Sequence, residues 1–322
     1  MKNYFCFFFT LANTWFFVAQ ETQIIKYPCS SIADNYKINK GLSKWPKFKK
    51  GQTLKINSFI DYQYPTEDSK LNSEWFEQRR PWWTKIENDP WSEYPFFGEK
   101  FIPPKLNFKK NVDDNLRWKC GYSYMIDIPV NFKKNKTYPL IIFLHGGIDA
   151  DQKKFLWRER QRKSFYMSED DPYIIAAPIK LGWDWDPKKV IDIIEDIKKN
   201  IKIDQNRIYL TGLSMGGRGT FIVASQYPKV FASILALSPH HTPYSYIELI
   251  DKVKDIPILI SHGDSDTVSS FRIAEKMYER LKDLGAQVTF KPRLGIGHWG
   301  WESFYSNSEN INWLLSWRKK SD

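Results

Sequence analysis

The sequence predicts an α/β protein, a mostly parallel β-sheet flanked by helices, with an N-terminal accessory segment ahead of it. Three observations point there. From Arg117 onward, short apolar runs alternate with segments of helical period across roughly 200 residues. Glycine-bearing turns follow several of those runs, at the strand ends where such sheets bind ligands. Upstream of Arg117 no sustained period exists, and prolines at 81, 90 and 95 interrupt the phrase RRPWWTKIENDPWSEYPFF.

In chain order, residues 1–19 read as an export signal. Lys2 is the positive n-region, Phe5 to Phe17 the apolar h-region, and Val18-Ala19-Gln20 a small-residue cleavage zone. Asn13 and Thr14 break a run already short of the about 20 residues a membrane span needs, so no stable span is expected after cleavage. The expected location is therefore secreted or periplasmic. Cys6 leaves with the signal, and Cys29 and Cys120 permit one disulfide. Residues 20–116 form the accessory segment, a small β-rich module or a wrapping extension. Residues 117–322 form the catalytic-type domain. Within it, Tyr122 to Pro129, Leu140 to Leu144, Tyr173 to Ala177, Arg207 to Thr211, Ser233 to Leu237, Ile256 to Ser261 and Val288 to Lys291 read as strands. Val190, Ile191, Ile194, Ile197 and Ile201 share one face at helical spacing, and further helices are expected through Gln226, over Ser270 to Leu284 and over Asn310 to Arg318.

Chemistry gathers at the strand ends. Gly212-Leu-Ser214-Met-Gly216 follows the strand Arg207 to Thr211 and precedes a helix, which is the setting a nucleophile elbow requires. Leu140 to Leu144 ends in His145-Gly146-Gly147, where glycines let backbone N–H groups approach a substrate oxygen beside the N–H of Met215. Ile256 to Ser261 ends in His262-Gly-Asp264-Ser-Asp266, which offers two carboxylates able to orient an imidazole or to serve as turn residues. Val288 to Lys291 leads to Gly295-Ile-Gly297-His298. Of the five histidines, the order serine, acid, histidine leaves His298; His262 is expected to pack at its strand's end.

These pieces resemble the α/β-hydrolase superfamily, and in particular its secreted esterase and predicted-peptidase branch, near the feruloyl- and acetyl-esterases of polysaccharide breakdown. The resemblance covers residues 117 to 320. It rests on FLHGG, DQNRIYLTGLSMGGRGT, HGDSDTV and GIGHWGW followed by NWLLSW. It implies an α/β-hydrolase fold and a triad of Ser214, Asp266 and His298, the His-Gly-x-x-Asp spacing selecting Asp266 over Asp264. It also implies an oxyanion hole of the Met215 and Gly147 N–H groups. The glycine pair runs into Ile148-Asp149, where lipase-like relatives carry a third glycine.

The expected activity is that of a secreted serine carboxylic-ester hydrolase that forms an acyl-enzyme, with no metal or organic cofactor implied. Only Pro239 to Asp255 separates two strands, too little for a substantial lipase lid. Residues 21 to 116 fall short of the on the order of 160 that a four-bladed propeller needs. Trp183, Trp185, Trp299 and Trp301 sit in loops after strand ends, where rings either stack on an aromatic acyl group or a sugar or pack in the core. The formal charge is +11, and Lys40 to Lys55 holds six lysines and no acid, which suits an anionic polymer such as an acidic polysaccharide. No nucleic-acid reading motif is present. The expected substrate is a small-molecule or polysaccharide ester carrying an acetyl or feruloyl group. The alternatives are a secreted serine peptidase with the same triad and a non-catalytic glycan-binding protein.

Overall fold

A computed structural model describes residues 24–26, 45–59, 63–65, 121–147, 162–179, 185–241 and 246–319. Residues 1–19, read above as an export signal, lie outside them with Cys29, Cys120, most of the expected accessory segment and Trp183. Strands β1 (Ile24–Lys26) and β3 (Gln63–Pro65) pair antiparallel as a two-stranded sheet. The main sheet holds β2 (Thr53–Phe59), β4 (Gly121–Asp127), β5 (Tyr138–Leu144), β6 (Ile174–Pro178), β7 (Ile203–Leu213), β8 (Ser233–Leu237), β9 (Ile258–Gly263) and β10 (Val288–Arg293). Their order across it is β10-β9-β8-β7-β5-β6-β4-β2. From β10 to β6 every pairing is parallel; β4 runs antiparallel to β6, and β2 antiparallel to β4.

Strand alternation divides the core between the two faces. Leu140, Ile142 and Leu144 of β5 point with Leu210 and Ile234 into one cluster, while Ile141 and Phe143 point with Tyr209 and Leu235 into the other. The first face is covered by helices α1 (Pro187–Asn200), α2 (Met215–Gln226) and α3 (Phe271–Asp283). The second is covered by α4 (Trp301–Ser306) and α5 (Ser308–Leu315). Local signals set the boundaries. Asp186 accepts from the Lys189 N–H ahead of Pro187 to start α1, and Ser270 accepts from the Ile273 N–H to start α3. The helix expected over Asn310 to Arg318 begins and ends earlier, because Asn307 caps it.

The boundary drawn at residue 116 does not separate residues 45–59 from the rest. Thr53 to Phe59 pairs along its length with β4, from Thr53 opposite Asp127 to Phe59 opposite Gly121. Ahead of it, Trp45 is buried in the first-face cluster, and its indole N–H donates to the Asp196 carboxylate of α1 at 3.2 Å. The Tyr124 hydroxyl donates to the same oxygen. Burial, and then this carboxylate, push that phenol above its ordinary pKa. The edge strand therefore belongs to the sheet, and alternation alone hid it because among its described side chains only Leu54 and Ile56 are buried, with Thr53 half-buried and Lys55 exposed.

Trp45→Ala is expected to lower unfolding stability by about 3–5 kcal/mol, the usual cost of truncating a buried tryptophan, in urea unfolding followed by circular dichroism. A change below about 1 kcal/mol would mean that this segment is not part of the cooperative fold.

Candidate active site

The turn between β7 and α2 is built by close backbone approach. Ser214 has φ 55° and ψ −118°, a conformation an L-residue holds only when its surroundings enforce it. Its N–H donates to the Leu237 carbonyl at 2.9 Å, and its carbonyl accepts from the Arg218 and His240 N–H groups, both at 3.0 Å. A Cβ on Gly216 would lie 1.8 Å from the Leu144 carbonyl oxygen, and one on Gly212 would lie 2.4 Å from the Gly216 oxygen. Only hydrogen fits at these two positions, so the serine is forced out at the end of the sheet, within a site where it is 6% exposed.

The structure brings Ser214, His298 and Asp266 together. His298 Nε2 lies 2.9 Å from Ser214 Oγ, and its Nδ1 lies 2.7 Å from Asp266 Oδ2. A carboxylate can only accept, so Nδ1 carries the proton and Nε2 presents its lone pair to the serine hydroxyl. Asp266 Oδ1 accepts from the Val268 and Ser269 N–H groups, each at 2.8 Å. Burial by itself would raise the Asp266 pKa. Hydrogen bonds from His262, His298 and the Ser269 N–H outweigh it and hold the carboxyl well below the usual range.

Asp264, the competing acid, has a different task. Its Oδ1 accepts from the Gly295 N–H at 2.8 Å and from the Ser265 hydroxyl at 3.0 Å, which ties the acid loop to the histidine loop. The Ser265 N–H donates to the Ile296 carbonyl, and a Cβ on Gly263 would strike that carbonyl at 2.1 Å. Arg293 holds the histidine loop from below, donating to the Trp299 carbonyl at 3.0 Å and the Ser238 hydroxyl at 2.8 Å.

His262 is the residue that sequence reasoning missed. It does lie at its strand's end, with its side chain fully buried, but Nε2 is 3.0 Å from Asp266 Oδ2 and 3.1 Å from the Ser269 carbonyl oxygen. Both neighbours are acceptors, so Nε2 bears a proton and donates between them. Behind it the His241 ring stacks at 6.3 Å, held neutral chiefly by burial and then by His262. The available signal was the four-residue interval from His262 to Asp266 inside one tight turn.

At the end of β5, Gly147 has φ 77°, and a Cβ added there meets nothing within 4 Å. A Cβ on neighbouring Gly146 would be 3.2 Å from the Ser214 Cβ, so this turn lies against the serine. Met215 is the first residue of α2, where N–H groups lack intrahelical acceptors. Of the two roles open to the tryptophans, Trp185 and Trp301 take the packing one. Trp185 is 2% exposed, donates to the Met215 carbonyl at 3.1 Å and sits edge-on to His145. A Cβ on Gly219 would lie 2.1 Å from its ring, so the indole fills a slot in α2. Trp301 is 6% exposed and lies edge-on beside the His298 ring, with centroids 5.4 Å apart. Trp299 is 64% exposed and adjoins the same histidine.

A family model described as phospholipase/carboxylesterase matches residues 186–310. The chain is 26% identical over 199 residues to a bifunctional acetylxylan esterase/xylanase of Neocallimastix patriciarum, an alignment covering 59% of this chain and 28% of that protein. It is 27% identical over 213 residues to the "Probable feruloyl esterase C" of Aspergillus niger, covering 60% of this chain and 74% of that one. It is 29% identical over 153 residues to the Arabidopsis thaliana carboxylesterase SOBER1, covering 44% and 64%. The chain thus spans less than two thirds of the acetylxylan esterase/xylanase and of SOBER1. A solved structure titled as a thermostable esterase superposes with a TM-score of 0.53 at 25% identity, over 62% of this chain and 60% of that one. The fold is the α/β-hydrolase fold, and the similarity lies with that superfamily's esterase and peptidase branch. Among the described residues no helix is long and apolar enough to cross a membrane.

Two outcomes follow from the acid's surroundings. A hydrogen bond to a charged group is worth about 1.5–3 kcal/mol, so His262→Ala should slow labelling of the serine by a fluorophosphonate about tenfold or more. His262→Gln, which restores an N–H donor, should recover most of that rate; identical rates in all three proteins would show that His262 only fills space. Because the Asp266 pKa is lowered on folding, its ionisation favours the folded state above the ordinary value of about 3.9. That contribution fades as pH falls through the depressed folded value. Thermal melts should show wild type gaining on Asp266→Asn as pH rises from about 2 to 5, with a constant difference above.

Proposed function

We propose that this chain is a serine carboxylic-ester hydrolase that removes acyl groups of acetyl or feruloyl type from polysaccharide or related esters. The observation that carries the reading is the run of contacts from Ser214 Oγ through the His298 ring to Asp266 at the C-terminal edge of the sheet. The His298 Nε2 lone pair accepts the serine proton as Oγ attacks the ester carbonyl. The Asp266 carboxylate holds the ring in that tautomer and offsets the charge of the imidazolium that forms. The N–H groups of Met215 and Gly147 are assigned to the oxyanion. The imidazolium then protonates the departing alcohol, and water attacks the acyl-enzyme by the reverse proton path.

Three features support an open site for a bulky ester. The connection from β8 to β9 carries a 3₁₀ helix, Ile247–Val253, and no long helix among its described residues. Trp299 stands exposed beside His298, where an aromatic acyl group or a sugar ring could stack on it. The relatives include proteins named as acetylxylan and feruloyl esterases. Export and secretion follow in this proposal from residues 1–19. A peptidase reading is favoured by one relative, the dipeptidyl-peptidase 5 of Porphyromonas gingivalis, 26% identical over 125 residues.

Parallel assays with a nitrophenyl acetate, a methyl ferulate and a peptide amide discriminate the readings. Both esters should be cleaved, the amide should not, and Ser214→Ala should lose on the order of 10⁶ in kcat. Cleavage of the amide alone would favour the peptidase. Full esterase activity in Ser214→Ala would remove the serine from the mechanism.

A further inference from the structure

The opposite end of the sheet carries a second feature that hydrolysis does not use. A cleft of about 890 Å³ opens beside the start of β5, lined by residues from three distant segments: 45–50, 132–134 and 198–202. Of its thirteen lining residues seven are lysines, and none is acidic. Lys47, Lys49 and Lys50 precede β2, Lys134 lies in the turn before β5, and Lys198, Lys199 and Lys202 surround the end of α1. Of these seven, only Lys198 has a carboxylate within ion-pair distance among the described residues, Glu195 at 2.8 Å.

Lys198 and Lys199 have a local explanation, since cations favour the last turn of a helix. The helix does not account for Lys47, Lys49, Lys50 and Lys134, which are brought to it from elsewhere in the chain. Like charges gathered in a concavity raise its potential and draw in counter-ions. Between them lies an apolar floor. Trp45 and Phe132 are buried, Phe48 is half-buried, and Phe48 sits edge-on to both at 5.9 and 5.6 Å. An apolar floor on which Phe48 is the half-exposed ring, in a cleft lined by lysines, fits a pyranose, which presents C–H faces to an aromatic ring and a carboxylate at its edge. No arginine lines the cleft, although the guanidinium fork is the group best matched to phosphates.

We propose that this cleft is an anchoring site for a uronate-bearing polysaccharide, separate from the catalytic centre. Tyr138 opens β5 at the cleft and Leu144 closes it at the candidate active site, so the two lie about 20 Å apart along the strand. A polymer held at one end raises the local concentration of its ester groups near the other. This role rests on the polysaccharide-ester reading above, but anchoring itself is measurable without catalysis.

The test uses the full chain in affinity electrophoresis through gels containing polygalacturonate or neutral dextran. Polygalacturonate should retard wild type and dextran should not, with retardation weakening as salt rises. The triple variant Lys47→Glu, Lys49→Glu, Lys199→Glu should bind polygalacturonate at least about tenfold more weakly. Lys252→Glu, Lys254→Glu, Lys282→Glu makes the same change in net charge elsewhere and should cost less than about threefold. Both triples should cleave nitrophenyl acetate as wild type does, which verifies folding. If the first triple does not fold, the corresponding Lys→Gln triple takes its place and should show a shallower salt dependence. Equal weakening in both triples, equal retardation by dextran, or tighter binding of a single-stranded oligonucleotide through the same lysines would overturn the assignment. Ser214→Ala should bind polygalacturonate unchanged, so failure of the catalytic reading and failure of this one are distinguishable.

Discussion

The site depends on one steric constraint, the contact of the Gly216 backbone with the Leu144 carbonyl. A side chain at 216 would overlap that oxygen at 1.8 Å, so the helix after the serine can start this close to β5 only with glycine there. The approach fixes Ser214 at positive φ and holds it against the glycine turn that follows β5. Hydrogen bonds from the neighbouring strand then over-determine the strained residue. Its N–H is tied to Leu237, and its carbonyl accepts two donors. Strain of this kind costs about 1–3 kcal/mol and persists only where the surroundings enforce it. Here a parallel sheet with helices on both faces supplies that enforcement.

A second layer of order serves the acid. Asp266 receives two backbone N–H groups on one oxygen and two imidazoles on the other, so its ring-orienting lone pair has little freedom. The acid and histidine loops are also fastened to each other, through Asp264 to Gly295 and Ser265 to Ile296. His298 therefore meets Ser214 and Asp266 within a rigid pair of loops. The separation of tasks between the two aspartates, one facing the imidazole and one stapling loops, follows from where β9 ends and not from their chemistry, which is the same.

Much of this was legible in the sequence because each piece is local. A serine between glycines after an apolar run, and glycines with histidine after others, report strand ends directly, and alternation across the later chain reports the sheet. What escaped depends on tertiary placement. Thr53 to Phe59 reads as polar because threonine, lysine, asparagine and serine make up four of its seven residues, and its partner β4 is some 70 residues away. Trp185 looked available because it lies in a loop after a strand end, yet its ring fills the space left by Gly219, 34 positions later. His262 looked like packing because its acceptor is made only when the turn to Asp266 closes. The lysine run was visible, whereas its convergence with the end of α1 was not.

The central claim is that Ser214 Oγ carries the acyl group during turnover. It is tested most directly by acid-quenching the enzyme within its first turnovers of a slow activated ester, digesting it, and locating the added acyl mass among the peptides. The account predicts the acyl group on Ser214 and none on His298→Ala treated alike. An acyl group reproducibly on another residue, or turnover with no covalent adduct on Ser214 when acylation outpaces hydrolysis, would contradict it.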